Sequence, residues 1–159
     1  MSMNFCNEND NNKFQVKINE VNIDELILIH EICDNDFIPR LSDVVNINEY
    51  CRKLINKAEI ISLHIEGINY PVGIVAIYCN DFTNLNAYIT SVCIRGEFRG
   101  LGLGKILLRK AFELSKLKGM KKISLEVGLK NEKAINLYRS HGFEIIEQKA
   151  LTYIMSVNV

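Results

Sequence analysis

Residues 99–105 read Arg-Gly-Leu-Gly-Leu-Gly-Lys, and together with Gly96 they gather four of the chain's nine glycines into nine residues. Glycine loses more backbone freedom on ordering than any other residue, so such a cluster marks main chain that must turn tightly or come very close to something. The apolar run 87–94 before it reads as a strand. After it, Leu103, Ile106, Leu107, Ala111, Leu114 and Leu117 recur at spacings of three and four, which predicts a helix over 102–118 stopped by Gly119. A strand feeding a glycine turn at a helix N-terminus is suited to an anion, because unpaired N–H groups and the helix dipole face outward there. A tight turn without a ligand would use the same glycines, so the turn alone leaves both readings open.

Spacing separates the known phosphate loops. A Walker loop needs a glycine five residues before Gly104, where Arg99 stands, and Ser or Thr after Lys105, where Ile106 stands. The dinucleotide fingerprint needs a glycine at 105 or 107, occupied by Lys and Leu. What remains is Arg-x-x-Gly-x-Gly, spelled by Arg99, Gly102 and Gly104.

Elsewhere the chain alternates short apolar runs with amphipathic ones, which predicts an α/β (α+β) architecture. Strands are expected at 13–18, 59–66, 71–79, 87–94 and 122–129, with two short ones around 143–146 and 152–157. Helices are expected at 22–33, 47–58, 102–118 and from Asn131 to about Ser140, with a loop at 34–43 broken by Pro39. The composition predicts one domain over 13–159 behind a disordered Asn-rich tail at 1–12, cytoplasmic because the start lacks the basic and apolar parts of a signal peptide. Nineteen basic and nineteen acidic residues cancel, so nothing in the net charge recommends nucleic acid or an anionic membrane as partner. Five cysteines without Cys-x-x-Cys spacing predict free thiols and no metal site. Cysteine catalysis through Cys93 is not expected, since His30, His64 and His141 lie in unrelated segments.

The stretch 91–144, SVCIRGEFRGLGLGKILLRKAFELSKLKGMKKISLEVGLKNEKAINLYRSHGFE, resembles motifs A and B of the GCN5-related N-acetyltransferase (GNAT) superfamily in order and spacing, Asn131, Ala134, Tyr138 and Gly142-Phe143 included. Its LEVGLKNEKAINLY wording is similar to the ribosomal-protein alanine N-acetyltransferase branch. Gly96 departs from the pattern, which has proline there. The resemblance implies a mixed, mostly antiparallel sheet of six to seven strands flanked by about four helices, and acetyl transfer from acetyl-coenzyme A to a primary amine by direct attack on the thioester.

Residue by residue, the resemblance puts coenzyme contacts at Val92, Ile94, Arg99, Gly100, Leu101, Gly102, Leu103, Gly104, Lys105 and Asn131, with main-chain groups near Ile94 as oxyanion donors. Tyr138 would face the sulfur; an ordinary phenol lies about 1.5 pKa units above a thiol, so hydrogen bonding to the departing sulfur would suffice without full proton transfer. Glu126 is either a general base acting through water or a solvent-facing charge, because alternation sets it apart from Ile123, Leu125 and Val127. Asn131 also suits a helix cap. The acceptor side is implied to be the segment 33–49, with Asp34, Asp36, Phe37 and Asp43, and the last hairpin. The acceptor itself stays open: a protein N-terminus, a nucleotide-linked amino sugar or another small amine. A non-catalytic coenzyme A-binding module, a longer acyl donor and a homodimer remain alternatives.

Overall fold

The computed structural model describes residues 14–159; the expected tail at 1–12 and Lys13 lie outside the described residues. The chain runs β1 (Phe14–Ile18), α1 (Ile23–Ile32), α2 (Leu41–Val44), α3 (Ile47–Lys57), β2 (Glu59–Ile65), β3 (Gly73–Asp81), β4 (Asn86–Ile94), α4 (Leu103–Leu117), β5 (Lys122–Gly128), α5 (Glu132–Ser140), β6 (Glu144–Gln148) and β7 (Thr152–Asn158). The strands form one seven-stranded sheet in the order β1-β2-β3-β4-β5-β7-β6. Only β4 and β5 run parallel; every other pair is antiparallel.

Local chemistry sets the element boundaries. Asn22 accepts from the Glu25 N–H while Glu25 returns a bond to the Asn22 N–H, so α1 begins in a full capping box. Asn46 and Asn131 cap α3 and α5 through their side chains. The expected loop at 34–43 contains more structure than its sequence suggests. Asp34 accepts from both the N–H and the hydroxyl of Ser42 at 2.7 Å, which folds the segment back on itself and starts the short α2. Pro39 follows a cis peptide in this segment.

Each face of the sheet is covered by its own helices. Leu103, Leu107, Leu108, Ala111 and Leu114 of α4 pack on Ile61, Leu63, Val75 and Ile77, and Ile135 and Tyr138 of α5 extend this core over β5. On the opposite face, Leu26 and Ile29 of α1 and Cys51 and Leu54 of α3 pack on Ile60, Ile74 and Ala76. Gly73 lets α4 sit close to the sheet: a Cβ there would lie 3.1 Å from Leu107 and 3.2 Å from the Cys93 carbonyl.

One irregularity organises the middle of the sheet. Ala76 pairs with Ser91 but Ile77 pairs with Ile89, so Thr90 is an extra residue in β4. It reverses the facing of the strand. Ala87 and Ile89 belong to the α4 side, whereas beyond the bulge Val92 and Ile94 turn to that side and Cys93 to the α1 side.

Leu107 is wholly buried where α4 meets the sheet. Leu107→Ala is expected to lower the unfolding free energy by about 2–5 kcal/mol, read as a lower urea midpoint with an unchanged m-value.

Candidate active site

The ladder between β4 and β5 ends at the pair Ile89 and Leu125, one residue before the Thr90 bulge. Beyond it, β4 continues paired only with β3 and β5 only with β7. The two strands therefore diverge, and the peptide groups of 90–94 that face the gap lack a neighbouring strand. The cleft in this gap is lined by Thr90, Ser91 and Val92 from β4, Glu126 to Gly128 from β5, and Asn131, Leu137 and Tyr138 from α5 and the turn before it.

The glycine turn stands at the end of β4. Gly100 and Gly102 take φ of 76° and 77°, the left-handed region that side chains disfavour, and Gly102 is the N-cap of α4. Gly104 serves packing instead: a Cβ would lie 3.0 Å from Leu137 and 3.4 Å from Ile94. Gly96 has open space and an ordinary φ, so the turn imposes no glycine there. Among the described residues, the first backbone bond of α4 is donated by Ile106 to Gly102, and the N–H groups of 100–105 donate to no backbone carbonyl. The first turn of α4 also carries no acidic residue, whereas α1, α3 and α5 each have one or more. Those helices meet their own dipoles with carboxylates; α4 leaves its positive end for something else. The turn thus fits the diphosphate that the sequence pattern implies.

Arg99 sits beside this turn but does not extend freely into it. Its Nε and Nη2 both donate to the Ile94 carbonyl at 3.1 Å, and Nη2 pairs with Asp36. Leu101 and Lys105 lie exposed on the turn, and the Val92 and Ile94 side chains pack on the α4 core.

Tyr138 is buried against Phe143, with ring centroids 5.7 Å apart, and it lines the cleft. Burial raises its pKa well above that of an ordinary phenol. The hydroxyl therefore stays protonated through the neutral range and acts as a donor. Across the cleft, Glu126 is exposed on β5; its Oε1 accepts from Thr152 Oγ1 at 2.6 Å and lies 3.7 Å from Lys149 Nζ. Both partners belong to the β6–β7 hairpin, so the carboxylate is held rather than loose. Asn131 caps α5 by accepting from the Ala134 N–H at 3.3 Å while also lining the cleft.

Asp36, Phe37 and Ile38 roof the cleft from the α1–α2 connection. Gly128 permits this approach, since a Cβ there would come within 2.7 Å of the Ile38 carbonyl oxygen. Asp34 and Asp43, also singled out in the sequence, serve the segment itself through Ser42 and Arg40.

The structure also assembles a buried relay that sequence separation concealed. His30 Nδ1–H donates to the Leu26 carbonyl at 2.8 Å, leaving Nε2 to accept from Ser91 Oγ at 2.8 Å, and the Cys93 thiol donates to Ser91 Oγ at 3.4 Å. A histidine therefore does stand near Cys93, through Ser91, sixty-one positions from it in sequence. Burial raises the Cys93 pKa far above the usual thiol value, which keeps it a thiol and out of nucleophilic chemistry. Tyr50 supports the bulge: its hydroxyl donates to the Thr90 carbonyl at 3.1 Å and meets Thr90 Oγ1 at 2.9 Å. Tyr50 and His30 have no sequence signal beyond an apolar helix face, because their partners are set by the sheet.

The profile of the acetyltransferase (GNAT) family matches residues 28–143, and the chain belongs to this family. It is 40% identical over 78 residues to an uncharacterized N-acetyltransferase of Methanocaldococcus jannaschii, covering 46% of this chain and 34% of the relative. It is also 40% identical over 73 residues to a candidate [ribosomal protein bS18]-alanine N-acetyltransferase of Bacillus subtilis, covering 45% and 48%. The aligned regions thus span between a third and half of these relatives. The fold is similar to that of the PaiA N-acetyltransferase of Thermoplasma acidophilum, solved in complex with coenzyme A, with a TM-score of 0.70 at 17% identity over 91% of this chain and 99% of that one. The mixed α/β fold expected from the sequence is the one observed, with seven strands and, counting the four-residue α2, five helices. Among the described residues, no helix is long and apolar enough to cross a membrane.

Burial lowers the His30 pKa below that of a free imidazole. The unfolded chain therefore binds a proton near pH 6.5 that the native state refuses, so stability falls as pH drops below about 6.5, by up to about 1.4 kcal/mol per unit for this residue. His64, also lowered chiefly by burial, adds the same sign. Urea unfolding at pH 5.0, 6.0 and 7.5 is expected to show this slope in the wild type and a shallower one in His30→Gln.

Proposed function

We propose that residues 13–159 act as one acetyl-coenzyme A dependent N-acetyltransferase domain, and that the acceptor is a primary amine. The observation that carries this reading is the coincidence of two features at one place. β4 parts from β5 after Ile89, and its freed half leads through 95–99 to a turn whose N–H groups 100–105 are unpaired in the backbone, at the start of α4, the long helix without an acidic first turn. An extended, uncharged arm can pair with strand edges in the gap, while a diphosphate takes the turn.

In this reading the N–H groups of Gly100, Leu101, Gly102, Leu103, Gly104 and Lys105 bind the diphosphate, with Arg99 beside them. Main-chain groups of Val92 and the Ile94 N–H position the arm, and an N–H there polarises the thioester carbonyl, while the Ile94 carbonyl is taken by Arg99. Asn131 contributes from the start of α5. The amine nitrogen forms the new C–N bond as the C–S bond breaks. Tyr138 donates a hydrogen bond to the departing sulfur and keeps its own proton, and the released thiolate takes its proton from water. Its raised pKa makes it a weak acid but a persistent donor, which is what a leaving thiolate requires. Glu126, held by Thr152 and Lys149, takes the proton released by the amine, directly or through water.

For the acceptor we favour a protein N-terminus. The local similarity to a relative bearing the alanine N-acetyltransferase name supports it. So does the roof of the cleft, where Ile38 is partly exposed, a surface suited to an apolar first residue. A screen for thiol release with acetyl-coenzyme A against N-terminal peptides, amino sugars with their nucleotide conjugates, and polyamines tests this. Turnover confined to peptides is expected; turnover confined to a small-amine pool overturns the acceptor assignment. Tyr138→Phe is expected to lower kcat about 100-fold or more with little change in KM for acetyl-coenzyme A. Glu126→Gln is expected to lower kcat by about 100-fold with little change in KM for acetyl-coenzyme A. If coenzyme A binds but no acceptor pool gives thiol release, the domain is a binding module.

A further inference from the structure

Arg99 belongs to the glycine motif, yet its guanidinium is engaged in the opposite direction. Two of its N–H groups close on the Ile94 carbonyl, which anchors it at the mouth of the cleft, and Nη2 reaches across to Asp36. Asp36 begins the roof. Phe37 and Ile38 follow it directly over the cleft, and Phe37 stacks on His30 with ring centroids 6.4 Å apart. Behind them, Asp34 holds Ser42 through two bonds of 2.7 Å, so 34–42 moves as one tied segment rather than as separate residues. The roof is secured to the β4 end by the Arg99 side chain and rests on Gly128 by backbone approach.

We propose that Asp36 is a positioning residue that couples the two substrates: it holds the roof closed by occupying Arg99, and a diphosphate arriving at 100–105 takes Arg99 from it and frees the roof for the amine. The inference rests on the coenzyme A reading of the turn given above. Nη2 is the nitrogen that meets Asp36, so a diphosphate that recruits Nη2 competes with the carboxylate for it. Arg99 directly precedes Gly100, the first residue of the turn. A diphosphate carries more charge than one carboxylate and meets the N-terminus of α4 as well, so it wins the exchange. The Asp36–Arg99 pair is about half exposed on both sides, which makes the coupling modest and screened by salt. The amine then meets an open roof only after the acyl donor is in place, which gives an ordered binding sequence.

Calorimetric titration of the full chain with coenzyme A, at low and high salt, tests the coupling in a double-mutant cycle. Asp36→Asn is expected to tighten coenzyme A binding by about 2–5-fold at low salt, the range of an exposed ion pair. In the Arg99→Gln background the same substitution should have no effect, because the competitor has lost its target. A gain of equal size in both backgrounds would mean simple repulsion between Asp36 and the ligand, and it would overturn the proposal, as would no gain in the wild-type background. Amide hydrogen exchange gives an independent readout. Coenzyme A is expected to speed exchange in 34–44 of the wild type but not in Asp36→Asn, where the segment is already released; equal protection with and without ligand in both proteins would overturn the proposal. If coenzyme A binds neither the wild type nor any variant at millimolar concentration, the coenzyme reading itself fails and this inference fails with it.

Discussion

The site depends on the termination of one parallel ladder. Four residues of β4 pair with β5, and then the pairing stops at Ile89 and Leu125. A continuous sheet would satisfy its own backbone groups and leave nothing for a ligand. Here the extra residue Thr90 increases the local twist and exchanges which side chains face which core, so β4 bends away while staying paired with β3. An unpaired carbonyl at such a point is costly unless something bonds it, and Tyr50 from α3 does so. The helix on one face thus stabilises an opening that is used from the other.

From that opening the roles of the remaining parts follow by geometry. β4 delivers the chain to a turn in which two glycines accept left-handed backbone, and the turn starts α4 with its N–H groups outward. Gly104 lets α4 approach Leu137 of α5, which brings Tyr138 to the same cleft. β5 supplies Glu126 from the other wall, and the β6–β7 hairpin holds its carboxylate. The α1–α2 connection covers the mouth because Gly128 has no side chain to keep it off. The cleft is therefore assembled from both faces of the sheet.

Much of this architecture was legible in the sequence. The periodicity of 102–118 gave α4, and the helices expected at 22–33 and 47–58 match α1 and α3, because these are local signals carried by neighbouring residues. The glycine turn was legible for the same reason, since backbone conformation is chosen within a few residues. What escaped was set by partners far apart in the chain. α2 exists because Asp34 bonds Ser42, an interaction that its polar, proline-containing sequence does not advertise. Alternation along 87–94 read as a regular strand, and the bulge at Thr90 became visible only against the register of β3. His30 and Tyr50 looked like ordinary members of apolar helix faces until the sheet brought Ser91 and Thr90 to them.

By itself the sequence determined the elements and the glycine turn, since propensity, capping and spacing act over a few residues, while the groups proposed for acyl-transfer chemistry are those that the resemblance of 91–144 implies. Only the tertiary structure decided where the sheet opens, that Arg99 pairs with Asp36, and that Glu126 is tethered to the last hairpin. Those are relations across many residues of chain, and they exist only once burial of the two cores has brought the strands and helices into register.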